Sequence, residues 1–188
     1  LNSRYDRFVD LKQIQIFDNA LNQHDFDSIS SVIMSKDFAW YYKPESTQKY
    51  AQMADLAESH YSYQFSHMFY FNQVPMSEYF MPTMIPVLEK LNCFSLVRMS
   101  ANFMPPMQEN YIQGMHTDSP TECRSAILYL NTNNGKTVFE TGEEIESIAN
   151  RLVVFNSNLK HSGVTTTDLS GRYVLNILFF PNQENSFK

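Results

Sequence analysis

The chain has 188 residues, 43% of them hydrophobic, which excludes a disordered polypeptide and suits one domain with a full core. Its 14 basic and 20 acidic residues leave a net charge of −6, which counts against a nucleic-acid partner, because such proteins present a basic face. No apolar run is long enough to span a membrane and the start is not signal-like, so a soluble, cytoplasmic protein is expected. Cys93 and Cys123 stand far apart and outside any CxxC pattern, as two idle thiols of a reducing compartment would.

In chain order, the first element is a helix in "HDFDSISSVIMSKD". An Asp or Ser caps it, and Phe26, Ile29 and Ile33 follow at helical spacing. "FAWYY" and "SYQFSHMFYFNQ" are aromatic and read as strands or covering loops that pack on a sheet. "SEYFMPTMIPVLEKLN" predicts a second helix with Phe80, Met84, Val87, Leu88 and Leu91 on one face, its start delayed or kinked by Pro82 and Pro86. His24, His60 and His67 fall in this region and read as structural or surface residues.

All five glycines, Gly114, Gly135, Gly142, Gly163 and Gly171, come later. Glycine gathers where tight turns join strands, so the later part is expected to be β and the earlier part more helical. Strands are expected over 95–103, 111–118, 124–131, 136–140, 143–146, 151–156, 160–165 and 171–180, with "NTNNGKT" an Asn-Gly hairpin signal between two of them. This number and spacing of short strands fits a jelly roll of the cupin kind, with the N-terminal helices packed on one sheet. The expected organisation is a single domain over 1–188. Residues 1–94 form a helical and aromatic support, and residues 95–182 form a double-stranded β-helix core.

Four features in that core carry chemistry. "GMHTDSP" sets His116 and Asp118 two apart, on one side if the segment is a strand. Alone, such a tripeptide is more often a hydrated strand end. "NLKHSGV" places His161 directly after the apolar "RLVVFN". "GRYVLNILFF" reads as a buried strand, yet one face carries Arg172, Val174, Asn176, Leu178 and Phe180. A buried guanidinium is costly unless paired, so Arg172 either meets an internal carboxylate or solvent at the strand end, or holds a carboxylate that arrives as a ligand. "SLVRMSANF" alternates Arg98, Ser100 and Asn102 with apolar residues, as a half-exposed strand or a polar pocket wall would. Two histidines and one carboxylate are the facial ligand set of non-haem Fe(II) oxygenases.

With "HTD", "NGKTVF", "NRLVVFNSNLKH" and "RYVLNILFF" in this order, the run from about 95 to 180 resembles the Fe(II)- and 2-oxoglutarate-dependent oxygenases, in particular the prolyl-4-hydroxylase-like branch. The resemblance implies that His116, Asp118 and His161 bind Fe(II) and that Arg172 pairs with the distal carboxylate of 2-oxoglutarate. It further implies that Asn102, Tyr129 and Asn176 complete the cosubstrate pocket, and that Arg98 and Tyr111 belong to the substrate pocket. The implied activity is a dioxygenase consuming 2-oxoglutarate and O2 and hydroxylating an unactivated C–H bond. The first expectation for the substrate is a prolyl residue of a protein or peptide, with small molecules open. The alternatives are a jelly-roll metal protein of another class, such as a cupin isomerase or zinc-dependent hydrolase, and a catalytically silent binding barrel.

Overall fold

Two antiparallel sheets face each other across the site. The computed structural model describes residues 14–44, 63–81 and 83–182. The strands are β1 (Ile14–Phe17), β2 (Tyr41–Lys43), β3 (Gln64–Phe71), β4 (Val74–Pro75), β5 (Cys93–Met104), β6 (Arg124–Tyr129), β7 (Lys136–Phe139), β8 (Glu144–Glu146), β9 (Leu152–Asn156), β10 (His161–Val164) and β11 (Arg172–Pro181). The helices are α1 (Gln23–Ile33) and α2 (Ile85–Lys90). The large sheet runs β1-β9-β6-β11-β5-β3-β2, with β4 on β3, and the small sheet runs β10-β7-β8. Strands neighbouring in space but distant in the chain, with every pair antiparallel, make a jelly-roll core.

Period-two alternation divides the large sheet into two faces. Ala126, Leu128, Leu152, Val154, Leu175, Ile177 and Phe179 form one core together with Phe26, Ile29 and Ile33 of α1 and Met84, Val87 and Leu91 around α2. Ile127, Tyr129, Val153, Phe155 and Val174 point the other way, into a smaller core with Phe139 and Ile145 of the small sheet. The site opens from this second face. The partner residues Val174 and Tyr129, and Asn176 and Ile127, stand side by side there.

Several expectations change. Asn22, rather than an Asp or Ser within the quoted stretch, caps α1, its side chain accepting from Asp25 N at 3.0 Å. The second helix is shorter than its pattern, because it begins only at Ile85, with Pro86 in its first turn. The aromatic stretches supply β2 and β3 of the large sheet, so among the described residues the earlier part contributes strands as well as helices. Between β6 and β7 the Asn-Gly segment is not a hairpin, since these strands lie in different sheets. Gly135 N is held by Asn133 Oδ1 at 2.9 Å, and Asn134 Oδ1 accepts from Thr166 Oγ1 at 2.7 Å. Side-chain bonds of the asparagines therefore override the turn propensity. The tight turn falls instead between β7 and β8, at Gly142, whose φ is +101°.

Segment 111–118 is not a continuous strand. It touches β10 through isolated bridges, Ile112 with Val164 and His116 with His161. The register slips by one residue between them, as in a bulge. The Ser162 hydroxyl takes the Gln113 carbonyl at 2.6 Å.

Candidate metal centre and cosubstrate cavity

His116 and His161 are set opposite each other by reciprocal backbone bonds, N to O at 2.9 Å in both directions. Their ring centroids are 4.6 Å apart. Asp118 is placed by its own N–H, which donates to Ser157 O at 3.0 Å. One ligand-type atom from each of His116, Asp118 and His161 lies within 4.8 Å of the others. Nδ1 of His116 faces the Gly114 carbonyl at 3.1 Å, and Nδ1 of His161 faces the Leu159 carbonyl at 3.0 Å. A carbonyl only accepts, so each Nδ1 carries the hydrogen and each Nε2 keeps its lone pair for a cation. Two imidazole lone pairs and one carboxylate fit a divalent metal with open positions.

The carboxylate is held from two sides. Ser125 Oγ donates to Asp118 Oδ2 at 2.6 Å, and Arg98 Nη2 donates to Oδ1 at 3.0 Å. Burial raises the Asp118 carboxyl, but His161, Ser125 and Arg98 outweigh it and hold it below the usual carboxylate range. Burial lowers the His161 imidazole, which keeps it neutral and ready to ligate.

These ligands line a cavity of about 690 Å³, the size that small-molecule sites take. Arg172 enters it from the first position of β11, where Gly171 before it has φ +73°. A Cβ on Gly171 would sit 2.5 Å from the Phe103 ring and 2.9 Å from Met104 O, so only glycine brings the chain in here. Arg172 is 2% exposed and makes no ion pair among the described residues. Its Nε donates to Ser147 Oγ at 2.9 Å, its Nη2 to Thr137 Oγ1 at 3.0 Å, and its Nη1 meets only Met104 Sδ at 3.8 Å. Tyr129, fully buried, lies under the guanidinium at 5.4 Å and donates its hydroxyl to Thr137 Oγ1 at 2.8 Å. Arg124 is a second buried guanidinium, but it donates to Asn156 Oδ1 and is not in the cavity wall.

Asn102, Asn176 and Arg98 line the same cavity, and Asn102 Oδ1 is buried with no hydrogen-bond partner. Tyr111 is not in the lining; its backbone is tied to Thr165. Of the remaining histidines, His67 is buried between Ala39 O and Ser77 Oγ, His24 is exposed, and His60 lies outside the described residues. Thr137, Ser147 and Gln113 went unnoticed in the sequence. The only trace was Thr137 inside "NGKTVF", since hydroxyl and amide residues are ordinary in strands and turns.

No protein-family model and no curated protein matches the chain. Solved structures do. A Pseudomonas putida prolyl-4-hydroxylase is 15% identical, covering 89% of this chain and 92% of its own, with a TM-score of 0.56. A Trichoplax adhaerens prolyl hydroxylase, solved with a peptide of the hypoxia inducible factor oxygen degradation domain, is 14% identical over 89% and 83%, with a TM-score of 0.58. An oxidoreductase of the 2OG-Fe(II) oxygenase family from Burkholderia pseudomallei is 13% identical over 92% and 89%, with a TM-score of 0.60. The chain therefore has the fold of the 2-oxoglutarate–Fe(II) oxygenases, prolyl hydroxylases among them, and a His-Asp-His cluster suited to their metal. No helix among the described residues is long and apolar enough to cross a membrane.

Proposed function

We propose that this chain is a non-haem Fe(II)- and 2-oxoglutarate-dependent dioxygenase that hydroxylates an unactivated C–H bond. The observation that carries the proposal is one cavity lined both by the His116, Asp118 and His161 cluster and by a buried guanidinium with no anionic partner among the described residues. Bound iron would supply the oxidation, in which O2 and 2-oxoglutarate become succinate, CO2 and the hydroxyl oxygen of the product.

The chain's own residues do the positioning. His116, Asp118 and His161 would hold the metal, with both imidazoles oriented by backbone carbonyls. Arg172 anchors the far carboxylate. Gly163, whose added Cβ would be 3.5 Å from Arg172 Nη1, is two residues along β10 from His161. Alternate strand residues repeat at about 6.6 Å, and a five-carbon diacid is about 5 Å between its end carbons. A diacid of that length is comparable to the one-repeat separation of His161 and Gly163 along β10. Thr137 Oγ1 already accepts from Tyr129 and Arg172, which leaves its own hydrogen for the carboxylate. Asn102 and Asn176 add polar contacts along the wall, and Tyr129 stacks beneath Arg172. The cavity wall holds Lys43, Arg98, Lys160 and Arg172 against the single carboxylate of Asp118. A dianion is drawn into such a field even though the whole protein is acidic.

For the substrate we propose a prolyl residue of a protein or peptide, on the strength of the prolyl hydroxylases sharing the fold. Arg98, in the cavity wall, is the residue we assign to the substrate side; Tyr111, which the resemblance also implied, is not in that wall. A cupin isomerase or zinc hydrolase has no use for an arginine that waits for a diacid, and a silent barrel has no use for the ligand set. The test is succinate release with Fe(II) and 2-oxoglutarate across prolyl peptides, amino acids and nucleosides. The proposal predicts iron-dependent succinate, stimulated by a prolyl peptide. No succinate under any condition would overturn the class, and stimulation by another substrate alone would overturn the prolyl assignment.

A further inference from the structure

The cavity reaches beyond the metal ligands and Arg172, over β5 and β3 to the end of β2, where Met68, Gln64 and Lys43 line it. Even at the roughly 30 Å³ that each heavy atom of liquid water takes, a diacid of about ten heavy atoms fills about 300 Å³. That is less than half of the cavity of about 690 Å³, so a second molecule has room. Two cations stand in that room. Lys43 pairs with Gln64 at one end of β3, and Arg98 with Phe71 at the other. Both line the one cavity, so the two long side chains reach toward each other over the strand between them. Burial, and then the charge of Arg98, lower the affinity of the Lys43 ammonium for its proton, so the two groups are near enough to repel. Lys43 has no ion-pair partner among the described residues. Arg98, its side chain 32% exposed, engages only Nη2, with Asp118 Oδ1 at 3.0 Å.

Like charges brought together at a cavity wall cost energy that an anion between them relieves. Among the described residues the wall offers no such anion, since its single carboxylate, Asp118, belongs to the metal cluster. Lys160 is matched by Glu140 at 2.9 Å. When the site is loaded, the divalent ion, Asp118, the doubly charged diacid and Arg172 cancel, and Lys43 and Arg98 stay unbalanced. A lysine on an edge strand also guards against edge pairing, but Arg98 stands on an inner strand with no edge to guard. We infer that the substrate brings an anion of its own: a prolyl peptide with an aspartate or glutamate beside the proline, its carboxylate seated between Lys43 and Arg98. This rests on the dioxygenase reading of the cavity. Arg98 already bonds a metal ligand, so the acidic side chain lies next to the reacting residue and not at a distant subsite. Met68 and Met115, in the same wall, give the aliphatic ring an apolar surface.

The experiment is calorimetric titration of the Mn(II)- and 2-oxoglutarate-loaded protein with capped heptapeptides. Each carries one central proline, flanked on both sides by glutamate, glutamine or lysine. Free proline, whose own carboxylate fits the same space, is titrated alongside. The glutamate peptide is expected to bind roughly tenfold more tightly than the glutamine peptide, the low end for a hydrogen bond between charged groups, and the lysine peptide most weakly. The gap should narrow as salt is raised. Lys43 is exposed on β2, so its variants keep the fold. Lys43→Gln should close most of the gap, and Lys43→Glu should reverse it in favour of the lysine peptide. Equal affinity for the glutamate and glutamine peptides in the wild-type protein, or a gap that survives both substitutions, overturns the inference. Free proline that binds more tightly than the glutamate peptide would assign the cations to a small substrate's own carboxylate and overturn the acidic peptide. A protein that binds 2-oxoglutarate and releases succinate, yet ignores peptide charge, overturns this inference alone. One that does neither overturns the proposed function first, and this inference with it.

Discussion

Replacing Arg172 by Met separates a binding role from a structural one. The substitution removes hydrogen bonds to Ser147 Oγ at 2.9 Å and Thr137 Oγ1 at 3.0 Å. At about 1 kcal/mol each, net of solvation, the loss is about 2 kcal/mol. It also removes a guanidinium that is 2% exposed with no carboxylate partner among the described residues. Burial alone lowers its affinity for a proton, a sign of the same desolvation. The penalty for such a charge is several kcal/mol, so its relief offsets the lost bonds. Methionine is apolar, flexible and close in length, and Met104 already packs there. The metal-free variant should therefore melt at or above the wild-type temperature. Its 2-oxoglutarate affinity should fall at least about a hundredfold, from loss of a charge-assisted, two-pronged contact worth about 3 kcal/mol or more. Thermal melts with and without 2-oxoglutarate read both quantities at once. A variant that melts far lower while binding 2-oxoglutarate as before would show that Arg172 is a structural arginine.

Three further outcomes follow from named contacts. Arg98→Ala frees Asp118 Oδ1 from its 3.0 Å partner and should weaken Mn(II) binding roughly ten- to hundredfold, the usual cost of losing a residue that orients a metal ligand, while an unchanged affinity would limit Arg98 to the substrate side. Gly171→Ala forces a side chain onto Phe103 and Met104 O at φ +73° and should destabilise by about 2 kcal/mol or more in urea unfolding, whereas a neutral result would mean that the entry of β11 is looser than its contacts indicate. Asp18 is held below its usual pKa by its hydrogen bonds to Arg151, at 2.6 and 3.0 Å, which tie the end of β1 to the start of β9. A depressed carboxylate contributes stability above its unfolded pKa, 3.8 here, and loses it as pH falls through the folded value. Asp18→Asn should therefore cost at most about 1 kcal/mol at pH 7, because the pair is solvent-screened, and nothing near pH 2; an equal cost at both would show that charge is not involved.

The cluster of His116, Asp118 and His161 and the buried Arg172 stood out in the sequence because their chemistry is rare in a buried β core. Two imidazoles, a carboxylate and a guanidinium each need a reason to be there, and their order along the chain supplied one. Arg98 was visible as a polar intrusion in β5, but its bond to Asp118 was not, because pairing across the cavity depends on how the sheet and segment 111–118 meet. That segment read as a strand by alternation, yet a one-residue slip and the Ser162 bond to Gln113 O break it into two bridges. Gln113, Thr137 and Ser147 were silent because amides and hydroxyls gain meaning only from the groups they meet. The Asn-Gly turn misled for the same reason, since Asn134 Oδ1 accepts from Thr166, far along the chain, while Asn133 Oδ1 takes the neighbouring Gly135 N–H. The aromatic runs of β2 and β3 suit a sheet and its cover equally, so local sequence does not decide between them.

The most direct measurement is Mn(II) binding to the wild-type chain and to His116→Ala, Asp118→Ala and His161→Ala, read by the loss of the free-ion electron paramagnetic resonance signal. One ion per wild-type chain, with the affinity lost in all three variants, is the predicted result. Binding that survives any two of those substitutions, or no binding by a folded wild-type chain, would contradict a metal centre built from these side chains.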